Sequence, residues 1–392
     1  MIEGYVFEWL NLLGRAVHVV AGIAWIGASF YFVWLDNHLQ PPADAERRGV
    51  GGELWAVHGG GFYHSQKYLG APPALPARLH WFKWEAYATL LSGFFLLVLV
   101  YYLQAPLYLV DPSVAVLSAP VAVAAGLAWI VGGWLVYDLL CRSPLGARDG
   151  ALAVVVSLLC AGAAYGMCHT FSGRGAFLHF GAMLGTIMVL NVFFVIIPAQ
   201  RAMVQAVGEG RTPDLARAMR ARQRSVHNTY FTLPALFAMI SIHYAWIYAT
   251  ALNWLGLITI SAAGALVRAY FVARHRGRAP VWMLLAAAAL LLAIAYGLKP
   301  RQVANPWAPD AARIQSIVVE RCAPCHSATP RFAGITAAPK AIILDEAGQV
   351  RTHAALARAQ IASRAMPPGN VTGLTDDERS ALIAWIDEAH GR

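Results

Sequence analysis

The chain has 392 residues, 58% hydrophobic and only 13% charged, with a mean hydropathy of +0.51. Soluble proteins carry about 25% charged residues, so the composition excludes an ordinary soluble enzyme and points to a membrane protein. The net charge of +9 fits basic connections on one side of a membrane, and no nucleic-acid partner is expected.

Glu3 and Glu8 precede the first apolar run without a Lys or Arg, so it lacks the basic start of a cleavable signal and is expected to stay as an anchor. A spanning helix needs about 20 mainly apolar residues. On that rule eight spans are expected, at 9–36, 82–103, 113–139, 149–170, 176–198, 228–248, 251–273 and 279–297.

Basic residues alternate along the connections. The first carries Arg47, Arg48, Lys67 and Arg78, and the third Arg142 and Arg148. The fifth carries Arg201, Arg211, Arg217, Arg220, Arg222 and Arg224, and the seventh Arg274, Arg276 and Arg278. The second and sixth carry none, and the fourth only Arg174. The positive-inside rule then puts odd connections in the cytoplasm of a bacterium, and both the N-terminus and everything after residue 298 in the periplasm.

The first connection holds "HGGGFYHSQK", His58 to Lys67, in which three glycines sit between His58 and the group Tyr63, His64 and Lys67. Its plain reading is a flexible turn; its functional reading is a lid whose glycines let backbone approach a ligand. Cys141, Cys160 and Cys168 are scattered through apolar sequence and read as buried thiols.

Ionisable residues inside spans are functional candidates. By depth, His18, His169, His179 and His243 collect toward the periplasmic side. That suits bis-histidine ligation of one or two b-type haems, with His18 and His243 as the better-matched pair and His169 with His179 serving a second haem or a docking surface. The bland reading is a hydrogen bond across helices for each. On the cytoplasmic side lie His38, His58, Tyr63, His64, Lys67, Glu85, Arg201, His227, Asn228 and Tyr230. Cationic and amide donors beside aromatic faces suit a planar, oxygen-rich anion.

After "GLKPRQVANPWAPD" proline and charge return. The expected organisation is a transmembrane domain at 1–298, a linker at 299–309 and a small periplasmic domain at 310–392. The tail contains "CAPCH", Cys322 to His326. C-x-x-C-H attaches c-type haem: the Cys322 and Cys325 thiols add to the vinyl groups and His326 becomes the proximal iron ligand. Met366, in "RAMPPGN", is the expected distal ligand, with His353 as the alternative. A disulfide or zinc site is the bland reading, and zinc would need ligands the tail supplies poorly. CxxCH, the "MPPGN" loop and the closing helix near "AWIDEA" make the tail similar to a class I cytochrome c. The fold class expected is all-α, an eight-helix transmembrane bundle followed by that small all-α domain.

Across essentially the whole chain, the order of "GRAVHVVAGIAWIGASFYFVWLDNHL", "HGGGFYHSQKY", "GTIMVLNVFFVIIPAQ", "VHNTYFTLPALFAMISIHY" and CAPCH…MPPGN resembles the bacterial membrane-bound, cytochrome-c-linked urate oxidases. The resemblance implies oxidation of urate to 5-hydroxyisourate, with electrons passing to the fused cytochrome and then to a respiratory cytochrome or terminal oxidase. It carries no residue-level mechanism. From the residues themselves, His64 and then His227 are expected as general base with Lys67 in the catalytic set, and His58, Tyr63, Arg201, Asn228 and Tyr230 as substrate contacts. "RAVHVVAGIAWIG" also looks like small membrane families in which such a histidine ligates haem b, which adds to the case for His18. The runner-up is a quinol-oxidising or purely electron-transferring membrane cytochrome, and a third reading is haem or copper handling. No Met- or Cys-rich cluster supports copper, and no G-x-G-x-x-G supports a Rossmann cofactor.

Overall fold

The computed structural model describes residues 2–43, 49–275, 277–299, 310–332 and 334–388. Arg47, Arg48, Arg276 and most of the expected linker lie outside the described residues.

Helix dominates. α1 is Ile2–His38, α2 is Trp84–Leu96 with a π-helical turn at Leu97–Tyr102, α3 is Ala119–Arg142 and α4 is Asp149–Cys168. α5 is Gly173–Asn191 and continues through a π-helical turn at Val192–Ile196 into Ile197–Gly208. α6 is Leu215–Ile240, α7 is Asn253–His275 and α8 is Trp282–Gly297. Among the described residues six stretches are long and apolar enough to cross a membrane: Gly4–His38, Trp84–Tyr102, Ala119–Arg142, Asp149–Cys168, Gly173–Gly208 and Asn253–His275. The chain is thus a multi-pass membrane protein by length and composition. On α1, Val17, Val20 and Ile23 are more than half exposed, a face suited to lipid.

Two stretches expected to span fall outside that set. α8 has 16 residues, about 24 Å of helix. α6 begins at Leu215, within what the sequence suggested was a connection, and carries Arg217, Arg220, Arg222 and Arg224 in its first half. It ends at Ile240, and the rest of the expected span is a 3-10 turn at Ser241–His243 and a short helix at Ala245–Tyr248.

The chain is mostly helical, as the all-α expectation has it, and the first connection adds one small sheet to it. β1, Val50–His58, and β2, Gly61–Tyr68, form an antiparallel hairpin with His58 opposite Gly61. Gly59 and Gly60 both have positive φ, +58° and +80°. Two such residues in a two-residue loop make a type I′ turn, which matches the twist of the strands it joins.

By packing, the chain falls into two compact units. The first comprises Met1–Leu96, Ala182–Leu236 and Ser261–Leu291. In it α1 lies along α2, and Ala86, Val189, Val192 and Ile197 form a buried cluster flanked by Trp25, Trp81 and Tyr87. The second comprises Leu97–Gly181, Phe237–Ile260 and Leu292–Arg392. In it the Pro144–Ala147 turn joins α3 to α4, and Gly166 leaves room for Trp129.

The tail builds a core from its own residues: Ile314, Ile317 and Val318 of α9 (Ala311–Arg321), Val350 of α10 (Ala347–Thr352), Ile361 of α11 (Ala354–Ala362), and Leu382, Trp385 and Ile386 of α12 (Asp376–Glu388). A capping box opens α12: Glu378 N donates to Thr375 Oγ1 at 3.2 Å and Thr375 N to Glu378 Oε2 at 2.8 Å. The Pro368–Asn370 turn packs against the Ala105–Tyr108 helix, with Gly369 beside the carbonyls of Leu107 and Val110 and next to Ser172.

Candidate functional site

A cavity of about 590 Å³ opens in the first unit, within the roughly 300–1,000 Å³ usual for small-molecule sites. Helical periodicity explains its walls. α1 contributes Trp25, Ser29, Phe32 and Asp36, spaced three or four apart on one face. α5 and its continuation contribute Met188, Val192, Ile196 and Gln200, and α6 contributes Arg222, Ser225, Asn228, Thr229 and Thr232. His80, Trp81 and Phe82 close it ahead of α2, Val272 comes from α7, and Lys67 reaches in from β2.

Aromatic rings therefore face amide, hydroxyl and cationic groups. Lys67 Nζ lies 2.8 Å from Asp36 Oδ1 at the rim, where both are exposed. Deeper in, Asn228 is buried together with Asn191 and Arg224. Arg224 Nη1 donates to Asn191 Oδ1 at 3.1 Å, Asn191 Nδ2 to Asn228 Oδ1 at 2.9 Å, and Asn228 Nδ2 to the Met188 carbonyl at 2.9 Å.

Of the cytoplasmic group singled out in the sequence, Lys67 and Asn228 line the cavity; His58, Tyr63, His64, Arg201, His227 and Tyr230 are not among the lining residues. His64 stacks on Trp55 with ring centroids 4.1 Å apart and an 8° interplanar angle, and its Nε2 lies 2.9 Å from Glu53 Oε2. Side chains alternate along a strand, so His64 and Lys67, three apart in β2, project to opposite faces of the hairpin. His58 ends β1 beside the turn. Sequence reasoning missed His80, Trp81, Gln200 and the α1 face. It counted Arg222 only as a loop cation, whereas the spacing 222, 225, 229, 232 beside Asn228 was a helical signal.

The family described as urate oxidase N-terminal matches residues 4–299. The chain belongs to the urate oxidase N-terminal family. No curated protein and no solved structure matches the chain. The family region of this urate oxidase relative contains the whole cavity and ends ahead of the tail.

The four membrane histidines of this family member differ in what they can offer a metal. His18 Nδ1 is 3.1 Å from both the Thr89 carbonyl and Ser92 Oγ. A carbonyl only accepts, so Nδ1 carries the proton and Nε2 keeps its lone pair, the arrangement of a metal-binding imidazole. Gly93 makes room for the ring: a Cβ there would stand 2.9 Å from His18 Cε1. His179 is fully buried, with Nδ1 2.8 Å from the Gly175 carbonyl and Nε2 3.2 Å from Tyr102 Oη, so both nitrogens are engaged. His169 is exposed, lies against the Tyr165 ring at a 32° tilt and directs Nδ1 to the Tyr165 carbonyl at 2.7 Å. His243 is exposed in the 3-10 turn.

In the tail, Cys322 and Cys325 are free thiols at the end of α9 and in the short helix Ala323–His326. Burial pushes the Cys322 thiol up to about 11 and raises that of Cys325. His326 Nδ1 lies 3.0 Å from the Ile342 carbonyl, which again leaves Nε2 for a metal. Two unpaired thiols beside an imidazole held in this way are the donor set that covalent haem needs. Arg379 Nη1 ties down the loop carrying Met366, reaching the carbonyls of Ile361 at 2.5 Å and Met366 at 3.1 Å. Among the described residues no three His, Cys, Asp or Glu side chains converge on a metal position.

Proposed function

We propose that this protein is a membrane-bound urate oxidase that converts urate to 5-hydroxyisourate and delivers the electrons to a c-type haem on its own tail. The observation that carries the reading is the aromatic, donor-lined cavity inside the region that defines the urate oxidase family. Urate and water give 5-hydroxyisourate, two electrons and two protons. Trp25, Phe32, Trp81 and Phe82 offer faces for a planar ring, Asn228 reads its polar edge, and Lys67 and Arg222 attract its negative charge. His80 is the imidazole among the lining residues and is assigned the proton leaving the hydrated ring.

Cys322, Cys325, His326 and Met366 are the residues that would hold the c-type haem. When bound there, haem supplies one-electron redox chemistry, and a methionine ligand favours electron transfer. His18 is the membrane histidine whose geometry best supports b-type haem ligation. In this reading the transmembrane helices stand in a bacterial inner membrane, with the cavity toward the cytoplasm. The tail is periplasmic and hands electrons to a respiratory cytochrome or terminal oxidase.

Filling the cavity tests the assignment. Ser29→Trp places a large ring against the other walls and is expected to abolish urate turnover while leaving the tail's haem absorbance intact. Wild-type turnover in Ser29→Trp would exclude this cavity as the substrate site.

A further inference from the structure

The Asn228 amide at the cavity wall is not free to choose its orientation. A guanidinium only donates, so the Asn191 atom facing Arg224 is Oδ1. Asn191 then turns its Nδ2 to Asn228, which must answer with Oδ1. The far end demands the same orientation independently, because the Met188 carbonyl only accepts and so faces Asn228 Nδ2. A donor-only group at one end and an acceptor-only group at the other thus fix both amides. Arg224, Asn191 and Asn228 are 3%, 0% and 7% exposed, so water does not replace any link.

A carboxamide has two N–H groups and two lone pairs on oxygen. Asn191 and Met188 use one of each at Asn228. One N–H and one lone pair remain at a residue that lines the cavity. Its neighbours are committed differently: Thr232 Oγ1 donates to the Asn228 backbone carbonyl at 2.9 Å and Thr229 Oγ1 to the Ser225 carbonyl at 3.2 Å. Their protons are spent on backbone, whereas Asn228 keeps both a donor and an acceptor to spare. That pair is complementary to an H–N–C=O edge.

We propose that Arg224 and Asn191 are positioning residues that hold the Asn228 amide to recognise the H–N–C=O edge of a cyclic lactam. The proposal rests on the urate reading, since urate is such a lactam, and it names the contact by which the site selects its ligand. Asn191 also stands directly before the π-helical turn at Val192–Ile196. Turns of this kind often mark functional positions, and here the first and last residues of the turn, Val192 and Ile196, both line the cavity.

Asn191→Asp is the test, because it keeps shape and the Arg224 partner but removes the N–H that Asn228 requires. With a carboxylate at position 191 accepting from both sides, Asn228 must turn its N–H inward and set its oxygen against the Met188 carbonyl. KM for urate is expected to rise about tenfold with kcat nearly unchanged, the size of one lost buried hydrogen bond. Arg224→Lys keeps a donor and is expected to stay close to wild type. Urates methylated at single ring nitrogens give a second readout: at least one should bind wild type more weakly than urate, and Asn191→Asp should lose that preference. Haem absorbance and melting temperature report folding. An unchanged KM in Asn191→Asp, with wild-type turnover intact, overturns the positioning role alone. Absence of urate binding and turnover in the wild-type protein overturns the urate reading, and with it this proposal, before any variant is compared.

Discussion

Arg268 of α7 is 6% exposed, its guanidinium stands 3.8 Å over the Phe30 ring, and its Nε and Nη2 have no partner among the described residues. A buried cation without an anion is costly, and replacing buried charge by an apolar side chain of similar size is often neutral or stabilising by about 1–4 kcal/mol. Arg268→Met is therefore expected to melt at or above the wild-type temperature in detergent; a clear fall would show that an anion partners this guanidinium in the working protein. Single residues were legible in the sequence where donors sat beside aromatic residues, as with Lys67 and Asn228. His64 and His80 were not told apart. The strand alternation that turns His64 away from Lys67 becomes readable only once the hairpin is known, and His80 carries no local mark beyond its neighbours Trp81 and Phe82.

The hairpin shows how an element can place a functional group. Gly59 and Gly60 take positive φ, which costs about 1–2 kcal/mol per residue for most side chains. Gly60→Val is expected to loosen the turn, withdraw Lys67 from the cavity rim and raise KM for urate several-fold. An unchanged KM would separate Lys67 from substrate binding. Its signature was present: three glycines between two short runs that carry aromatic residues, "LWAVH" and "FYHSQKY". It was overlooked because a membrane chain invites a search for helices alone. α6 misled in the opposite way. Five arginines between 211 and 224 read as a cytoplasmic loop, yet arginine is a good helix former, and the helix starts at Leu215. That early start is what puts Arg222, Ser225 and Thr229 on one face with the cavity and Arg224 within reach of Asn191.

Across the whole chain, long apolar runs pointed to the six stretches long and apolar enough to cross a membrane, and also to two that are not among them, at 228–248 and 279–297. In the tail the haem reading rests on one motif: CAPCH places two thiols and an imidazole at a spacing that few other functions require. The cavity could not be read in advance, since its walls come from six separated stretches of sequence that only folding unites. The account joins a cytoplasmic urate site to a haem-bearing tail through one chain. Anaerobic visible difference spectra of the purified protein before and after urate test that link most directly. The expected result is reduction of c-type haem by urate, two electrons for each urate consumed. Haem that stays oxidised with urate but is reduced by a quinol would contradict the account and leave a quinol-oxidising membrane cytochrome in its place.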